Sequence, residues 1–346
     1  MSIESKTKHL IYNIHEFLLK HKNIRVNTDK NRVFLFGIPQ FLNYGDLAIA
    51  IAEINFLNRY FPNRELILIS EPSVDNGIDQ VKSICNDSDI IAFHGGGNMG
   101  DVWPEQDKMR ERIFLEFKDS RIICFPQSTN YSSNRSESLL RISKTMRTLS
   151  DIWIFARDRS SYDFMKENFP SNVHINLVPD IVLSLKVSSK YNRTNIATFM
   201  RSDREKEDNS VATDLISDIS KNNLVVNSDT EEIYWKHLIT EKSLPKLVNS
   251  KLKEFQTSKI ILTDRLHGMV FAAITGTPAI VFDNNNHKVR NLYEQWLSSY
   301  EYINFAEDQD EEVIKNKVSS ILDNKKSYMY SMDEELFSEL KAAFII

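Results

Sequence analysis

From Arg32 onward, short apolar runs alternate with longer stretches whose apolar residues recur at helical spacing, and this alternation constrains the fold more than any other feature. "RVFLFG" leads into "GDLAIAIAEINFLNRYF", "ELILIS" into "GIDQVKSIC", and "DIIAFHGGG" into "PEQDKMRERIFLEFK". "RIICFPQS" leads into "SESLLRISKTMRTLS", "DIWIFARD" precedes a further helix, and "NVHINLVPDIVL" closes the series. Apolar runs of about four to eight residues fit strands buried on both faces. Joined by helices they make βαβ units, a parallel sheet and right-handed crossovers. The polar stretch "KVSSKYNRTN" interrupts the pattern, and a second alternation follows through "NIATFM", "NLVVNS", "KIILTD", "RLHGMVFAAITG" and "PAIVFD". The expected fold is therefore α/β, with two Rossmann-like domains at residues 1–187 and 188–325 and a closing helix at 326–346 that packs back on the first. In such sheets, ligands bind at the carboxyl ends of the strands, and two stacked domains place them in the cleft between.

Composition narrows the class. The 346 residues exceed one comfortable core, and a chain with 41% hydrophobic and 26% charged residues is globular rather than disordered. A net charge of −5 argues against a nucleic-acid partner. The two cysteines, Cys85 and Cys124, sit in or beside apolar runs and read as buried thiols of a reducing cytoplasm. The N-terminal stretch lacks a secretory apolar core, and no run approaches the roughly 18 apolar residues of a membrane span. Leu10, Ile11, Ile14, Phe17 and Leu18 follow helical spacing, which suits packing on the domain, a partner or a membrane surface. "SDREKEDNS" reads as a charged loop, and "EDQDEEV" as the opening of a solvated helix rather than a metal site.

Four polar clusters directly follow strands. In "GIPQFLNYGDLAIA", Asp46 is either a helix cap beside the turn residue Gly45 or, with Asn43 and Tyr44, a contact to sugar hydroxyls with a carboxylate placed to act as base. In "FHGGGNMGD" the glycine triplet lets backbone approach a ligand at Gly96 and Gly97, with Asn98 and Asp101 beside it. Its spacing matches neither a dinucleotide fingerprint nor a Walker loop. In "FARDRSS", Arg157 either grips an oxyanion with its planar fork or pairs with Asp158 or a neighbouring helix. In "TDRLHGMVFAAITGTP", Thr263 and Asp264 are candidate caps, which would put Arg265 in the first helical turn. A helix start favours an anion, Arg265 adds a full charge, and His267 adds a group able to move a proton near neutral pH. Lys288, past the next strand, either completes a basic pocket or is an exposed lysine. These residues suit a transferase with a hydroxyl-rich acceptor and a small anionic donor.

The motifs "NYGDLAIA", "HGGGNMGD", "FPQS", "RDRSS", "LVPDIVL", "TDRLHGM" and "TGTPAIVFDNNNHK", in this order, resemble those of the polysaccharide pyruvyltransferases, and among them the bacterial exopolysaccharide branch. The resemblance implies an architecture similar to the GT-B glycosyltransferases, phosphoenolpyruvate as donor, a hexose of a glycan or lipid-linked oligosaccharide as acceptor, and a pyruvate ketal as product. It implies no metal and no cofactor beyond that co-substrate. It places donor binding on Arg157, Arg265, Leu266, His267 and Lys288, with His267 and Arg265 in the chemistry. Asp46 is the candidate for activating the acceptor. A lipid-linked acceptor would bring the protein to the inner face of the cell membrane or to a polysaccharide assembly machinery. Two other readings fit the residues: a glycosyltransferase using a nucleotide sugar, and a non-catalytic protein that binds a glycan or an anionic metabolite.

Overall fold

A computed structural model of the chain describes residues 3–27, 30–187, 191–201, 210–232, 239–306, 311–323 and 326–345. The expected loop "SDREKEDNS" falls outside the described residues except for its last serine, as does the first part of "EDQDEEV". The chain divides into two compact units. The first comprises residues up to Ser184, joined by the described residues 239–244 and by the tail from Glu334. The second comprises Leu185–Glu232 and Pro245–Asp333. The first unit is thus discontinuous, with an inserted segment that the periodicity of the sequence does not mark.

The first unit runs α1 (Ile3–Lys20), β1 (Arg32–Ile38), α2 (Tyr44–Tyr60), β2 (Glu65–Ser70), α3 (Val74–Ile84), β3 (Ile90–Phe93), β4 (Gly96–Gly100), α4 (Pro104–Glu116), β5 (Arg121–Asn130), α5 (Glu137–Met146), β6 (Asp151–Ala156), α6 (Arg159–Asn168) and β7 (Val173–Leu177). Its strands form one parallel sheet in the order β2-β1-β3-β5-β6-β7, with β4 paired to β5 as well. The long strand β5 serves two partners. Arg121–Cys124 pairs with β3, and after an irregularity at Phe125 and Pro126 its second half pairs with β4. The glycine triplet therefore enters the sheet rather than forming a loose turn. Gly100, at φ 137°, shows why a side chain is excluded there: an added Cβ would lie 2.1 Å from the carbonyl oxygen of Asn130.

Strand residues Phe34, Ile91, Phe93, Ile122 and Ile154 meet Ile113 and Phe114 of α4 in the core. Each such side chain contributes about 1.5–3 kcal/mol when buried. Cys124 lies in this core, and burial pushes its thiol up to about 12; Cys85 is only partly buried. Residues of the tail close the opposite side of the sheet. Phe344 packs on Phe56, Phe61 and Phe125, and Arg121 donates to the carbonyl oxygens of Ala343 and Ile345. Helix α1 corrects the expectation of a packed amphipathic face. Ile11, Ile14, Phe17 and Leu18 are exposed, the last two at 60%. The segment is tied at its end instead, where Leu19 and Lys22 accept from Ser73 and Gln80.

The second unit runs β8 (Asn195–Phe199), α7 (Ser210–Ser220), β9 (Val225–Ser228), α8 (Leu244–Gln256), β10 (Ser258–Thr263), α9 (Leu266–Ile274), β11 (Ala279–Val281), α10 (Lys288–Leu292), β12 (Ile303–Phe305) and α11 (Glu311–Asp323); α12 (Ser338–Ala343) belongs to the first. Its sheet is parallel in the order β12-β11-β10-β8-β9, over a core that includes Ile196, Leu215, Ile260, Leu262 and Ile280. Among the described residues no helix is long and apolar enough to cross a membrane.

Candidate active site

In the first unit, the polar residues gather where β2, β1 and β3, neighbours in the sheet, reach their carboxyl ends. After β1 the chain turns into α2, and the cap is Asn43 rather than Asp46: Asn43 Oδ1 accepts from the amides of Gly45 (3.0 Å) and Asp46 (3.3 Å). Asp46 occupies the first helical turn and is partly exposed. A Cβ on Gly96 would lie 3.7 Å from Asp46 Oδ1, so the glycine strand and this carboxylate are brought together. Tyr44 beside them is buried with the core. Asp101 Oδ2 accepts from the amide and hydroxyl of Ser132, both at 2.6 Å, and so fixes the chain after β5. Gly97 and Asn98 remain partly exposed.

Three further residues belong to this edge. Glu53, in the apolar helix α2, is fully buried; its Oε2 lies 2.7 Å from His94 Nδ1 and its Oε1 accepts from the Gly95 amide at 2.7 Å. One carboxylate thus fixes both the first residue after β3 and the start of the glycine triplet, while Gln127 donates to the His94 carbonyl. Burial raises Glu53 above the usual carboxylate range, although His94 opposes the rise. Burial lowers His94, but the Glu53 carboxylate, with Asp46 and Glu71 beyond it, outweighs this and raises it. His94 is 4% exposed, and its Nε2 is buried with no hydrogen-bond partner among the described residues.

Glu71, the residue directly after β2, is the third. Its Oε1 accepts from Gln106 Nε2 at 2.8 Å. Gln106 Oε1 receives Asn98 Nδ2 at 3.4 Å, and Asn98 Oδ1 receives Arg110 at 2.7 Å. Arg110 is fully buried, bonded to Asp107 and stacked 4.6 Å over Phe93. Burial raises the Glu71 carboxyl to about 7, with a smaller push from Asp46 and opposition from Gln106 and His94.

Arg157 lies in the first unit, after β6, and is 3% exposed. It donates to Ser128 Oγ (2.8 Å) and to Asp180 Oδ2 (2.7 Å). The partner is the aspartate of "LVPDIVL", not the adjacent Asp158, which caps α6 through the Ser161 amide. This buried pairing makes Arg157 a brace between two strand ends.

In the second unit, the equivalent edge centres on β10. Thr263 Oγ1 donates to the Phe199 carbonyl and accepts from the Arg265 amide. Arg265 is therefore the extended cap residue, and α9 starts one residue later than the sequence suggests. The hydroxyl of Thr263 also dictates Gly268, since an added Cβ would lie 2.1 Å from it. Arg265 is buried, and Asp229, just past β9, takes its guanidinium bidentately at 2.8 and 2.7 Å; Glu231 stands 3.5 Å from its other nitrogen. Asp264 accepts from the Arg201 amide, and burial raises its carboxyl. His267 is partly exposed in the first turn of α9, whereas Leu266 packs inward. Lys288 is 8% exposed at the start of α10, so it is not the ordinary surface lysine. It follows a loop in which Asp283 lies 2.6 Å from His287 Nδ1 and accepts from the Arg290 amide. Because β10 and β11 are neighbours, Arg265, His267 and Lys288 share one edge of the sheet.

The chain thus consists of two Rossmann-like units, one with a carboxylate and histidine edge and the other with an arginine, histidine and lysine edge. The chain belongs to the polysaccharide pyruvyl transferase family, whose description matches residues 43–286. It is 34% identical over 299 residues to General stress protein 30 of Bacillus subtilis (strain 168), covering 85% of this chain and 86% of that protein. It is 27% identical over 283 residues to Pyruvyl transferase 1 of Schizosaccharomyces pombe, covering 77% and 70%. A solved structure of an uncharacterized Klebsiella pneumoniae protein shares the fold, with a TM-score of 0.57 at 18% identity over 88% of this chain and 99% of that one.

Proposed function

We propose that this pyruvyl transferase moves the pyruvyl group of phosphoenolpyruvate onto two hydroxyls of a hexose in a bacterial polysaccharide or its precursor, giving a ketal and phosphate. The observation that carries the reading is the shared edge of β10 and β11, where Arg265, His267 and the buried Lys288 follow neighbouring strands. The donor carries a phosphate ester and a carboxylate on the same carbon. Lys288 and the guanidinium of Arg265, whose plane Asp229 fixes, supply the opposing charge. His267 delivers a proton to the methylene carbon, which makes the adjacent carbon electrophilic. One hydroxyl attacks it, phosphate departs, and the second hydroxyl closes the ring.

Calorimetric titration with phosphoenolpyruvate tests the reading, with Arg265→Ala as control. Binding by the wild type, weakened at least ~10-fold in the variant, is the expected result, because a hydrogen bond to a charged group is worth about 1.5–3 kcal/mol. Equal affinity in both proteins would sink the assignment of Arg265, and transfer from a nucleotide sugar without phosphoenolpyruvate would replace the donor.

A further inference from the structure

The pyruvyl-transfer reading names His267 as the proton donor and leaves open which groups take the two hydroxyl protons. Ketal formation makes two carbon–oxygen bonds to the central carbon of the donor and breaks its bond to the phosphate ester oxygen. Two hydroxyl protons are released; one is balanced by the new C–H bond of the methyl group, and the other leaves on phosphate. No oxidant or reductant is needed, but two hydroxyls must be deprotonated in succession. A single carboxylate at Asp46 serves one of them.

We propose, resting on that reading, that Glu71 is the second catalytic base, taking the proton of one acceptor hydroxyl while Asp46 serves the other. Four observations converge on it. Glu71 follows β2 directly and Asp46 follows β1, so the two carboxylates stand at the ends of neighbouring strands of one sheet. Glu71 is partly exposed, while the residues that fix it are progressively buried. The chain of hydrogen bonds from Arg110 through Asn98 and Gln106 holds one oxygen of Glu71 and leads back to a guanidinium that is itself locked by Asp107 and Phe93. A bridge this long, anchored in the core, orients a carboxylate more tightly than a surface turn requires. Finally, the imidazole of His94, nine-tenths buried, has its Nε2 without a partner and responds to the charges of both Asp46 and Glu71. The groups bearing on Glu71 are thus Gln106 from α4, His94 from the end of β3 and Asp46 from α2. Together with burial they leave it titrating at about 7, where a base is most effective at neutral pH.

Phosphate release from phosphoenolpyruvate is the assay, with the 4-nitrophenyl glycosides of the common hexoses glucose, galactose and mannose as acceptors, from pH 5.5 to 9. Wild-type kcat should rise with pH through a limb near 7. Glu71→Gln should lower kcat by ~10²-fold or more and abolish that limb, Glu71→Asp should recover part of both, and calorimetric affinity for phosphoenolpyruvate should stay within about twofold. A Glu71→Gln variant with wild-type kcat and an intact limb overturns the assignment and leaves the transfer reading standing. A wild type that neither binds phosphoenolpyruvate nor releases phosphate from it fells the transfer reading, and the role of Glu71 with it. Infrared spectra need no acceptor: a protonated-carboxyl band at pH 6 that fades near pH 7 and is missing in Glu71→Gln supports the proposal, and its absence from the wild type overturns it.

Discussion

The polar edge of the first sheet is built from carboxylates around a histidine, and that of the second from cations around a strand end. In the first, Glu53, Glu71 and His94 all have their protonation shifted by burial and by one another. In the second, the central charge of Arg265 is fixed by a bidentate carboxylate, and Lys288 is held at a helix start. The same βαβ architecture thus carries a carboxylate-rich edge in one unit and a cation-rich edge in the other. The difference lies in which residues follow the strands, not in the strands themselves.

The sharpest way to break this division is His267→Ala. If the second edge handles protons as well as charge, turnover falls by ~10²–10⁴ while affinity for phosphoenolpyruvate stays near wild type; a loss confined to affinity would leave proton work to the first unit alone. Arg110→Met should cost about 3–5 kcal/mol of stability, because Asp107 would remain buried without its cation, and calorimetry of the folded variant should still find donor binding. Loss of donor binding from an intact fold would show that the two edges are not separable. Gly268→Ala, at the opposite edge, should cost about 1–3 kcal/mol as the new methyl group displaces Thr263, read as a lowered melting temperature.

The smallest effect has a size that depends on pH. Glu71 is raised from 4.5 to about 7, so the folded state binds its proton more tightly than the unfolded chain does. Stability from this group is present below pH 4.5 and is lost as pH rises through 7. Glu71→Gln should therefore melt higher than the wild type at pH 8, by on the order of 1 kcal/mol once the side chain's partial exposure is allowed for, and equally at pH 4. A variant less stable at pH 8 would mean that Glu71 is held there by favourable contacts rather than strained.

Much of this was legible before any coordinates. The alternation of apolar runs specifies two parallel sheets because buried strands and amphipathic helices differ in length and period. Arg265 and His267 stand out because they follow an apolar run within a few residues, and Asp46 because it lies in the turn that leads from a strand into an apolar helix. Glu71 satisfies the same rule after "ELILIS", but a glutamate before a proline reads equally as a turn. Glu53 carries a different signal, an acidic residue on the buried face of "LAIAIAEINFL", whose meaning depends on finding His94 across the sheet. Asp229 and Asp180 were out of reach, since nothing local in "NSDTEE" or "LVPDIVL" tells which arginine they meet. The cap positions shifted by one or more residues because Asn43 and Thr263 compete for the same backbone amides as the residues beside them.

The aromatic clasp around Phe344 has a consequence for the order of synthesis. The residues that close the first sheet beside Phe56, Phe61 and Phe125 are translated only after the entire second unit. The first unit must therefore keep that apolar patch uncovered until the last residues of the chain leave the ribosome.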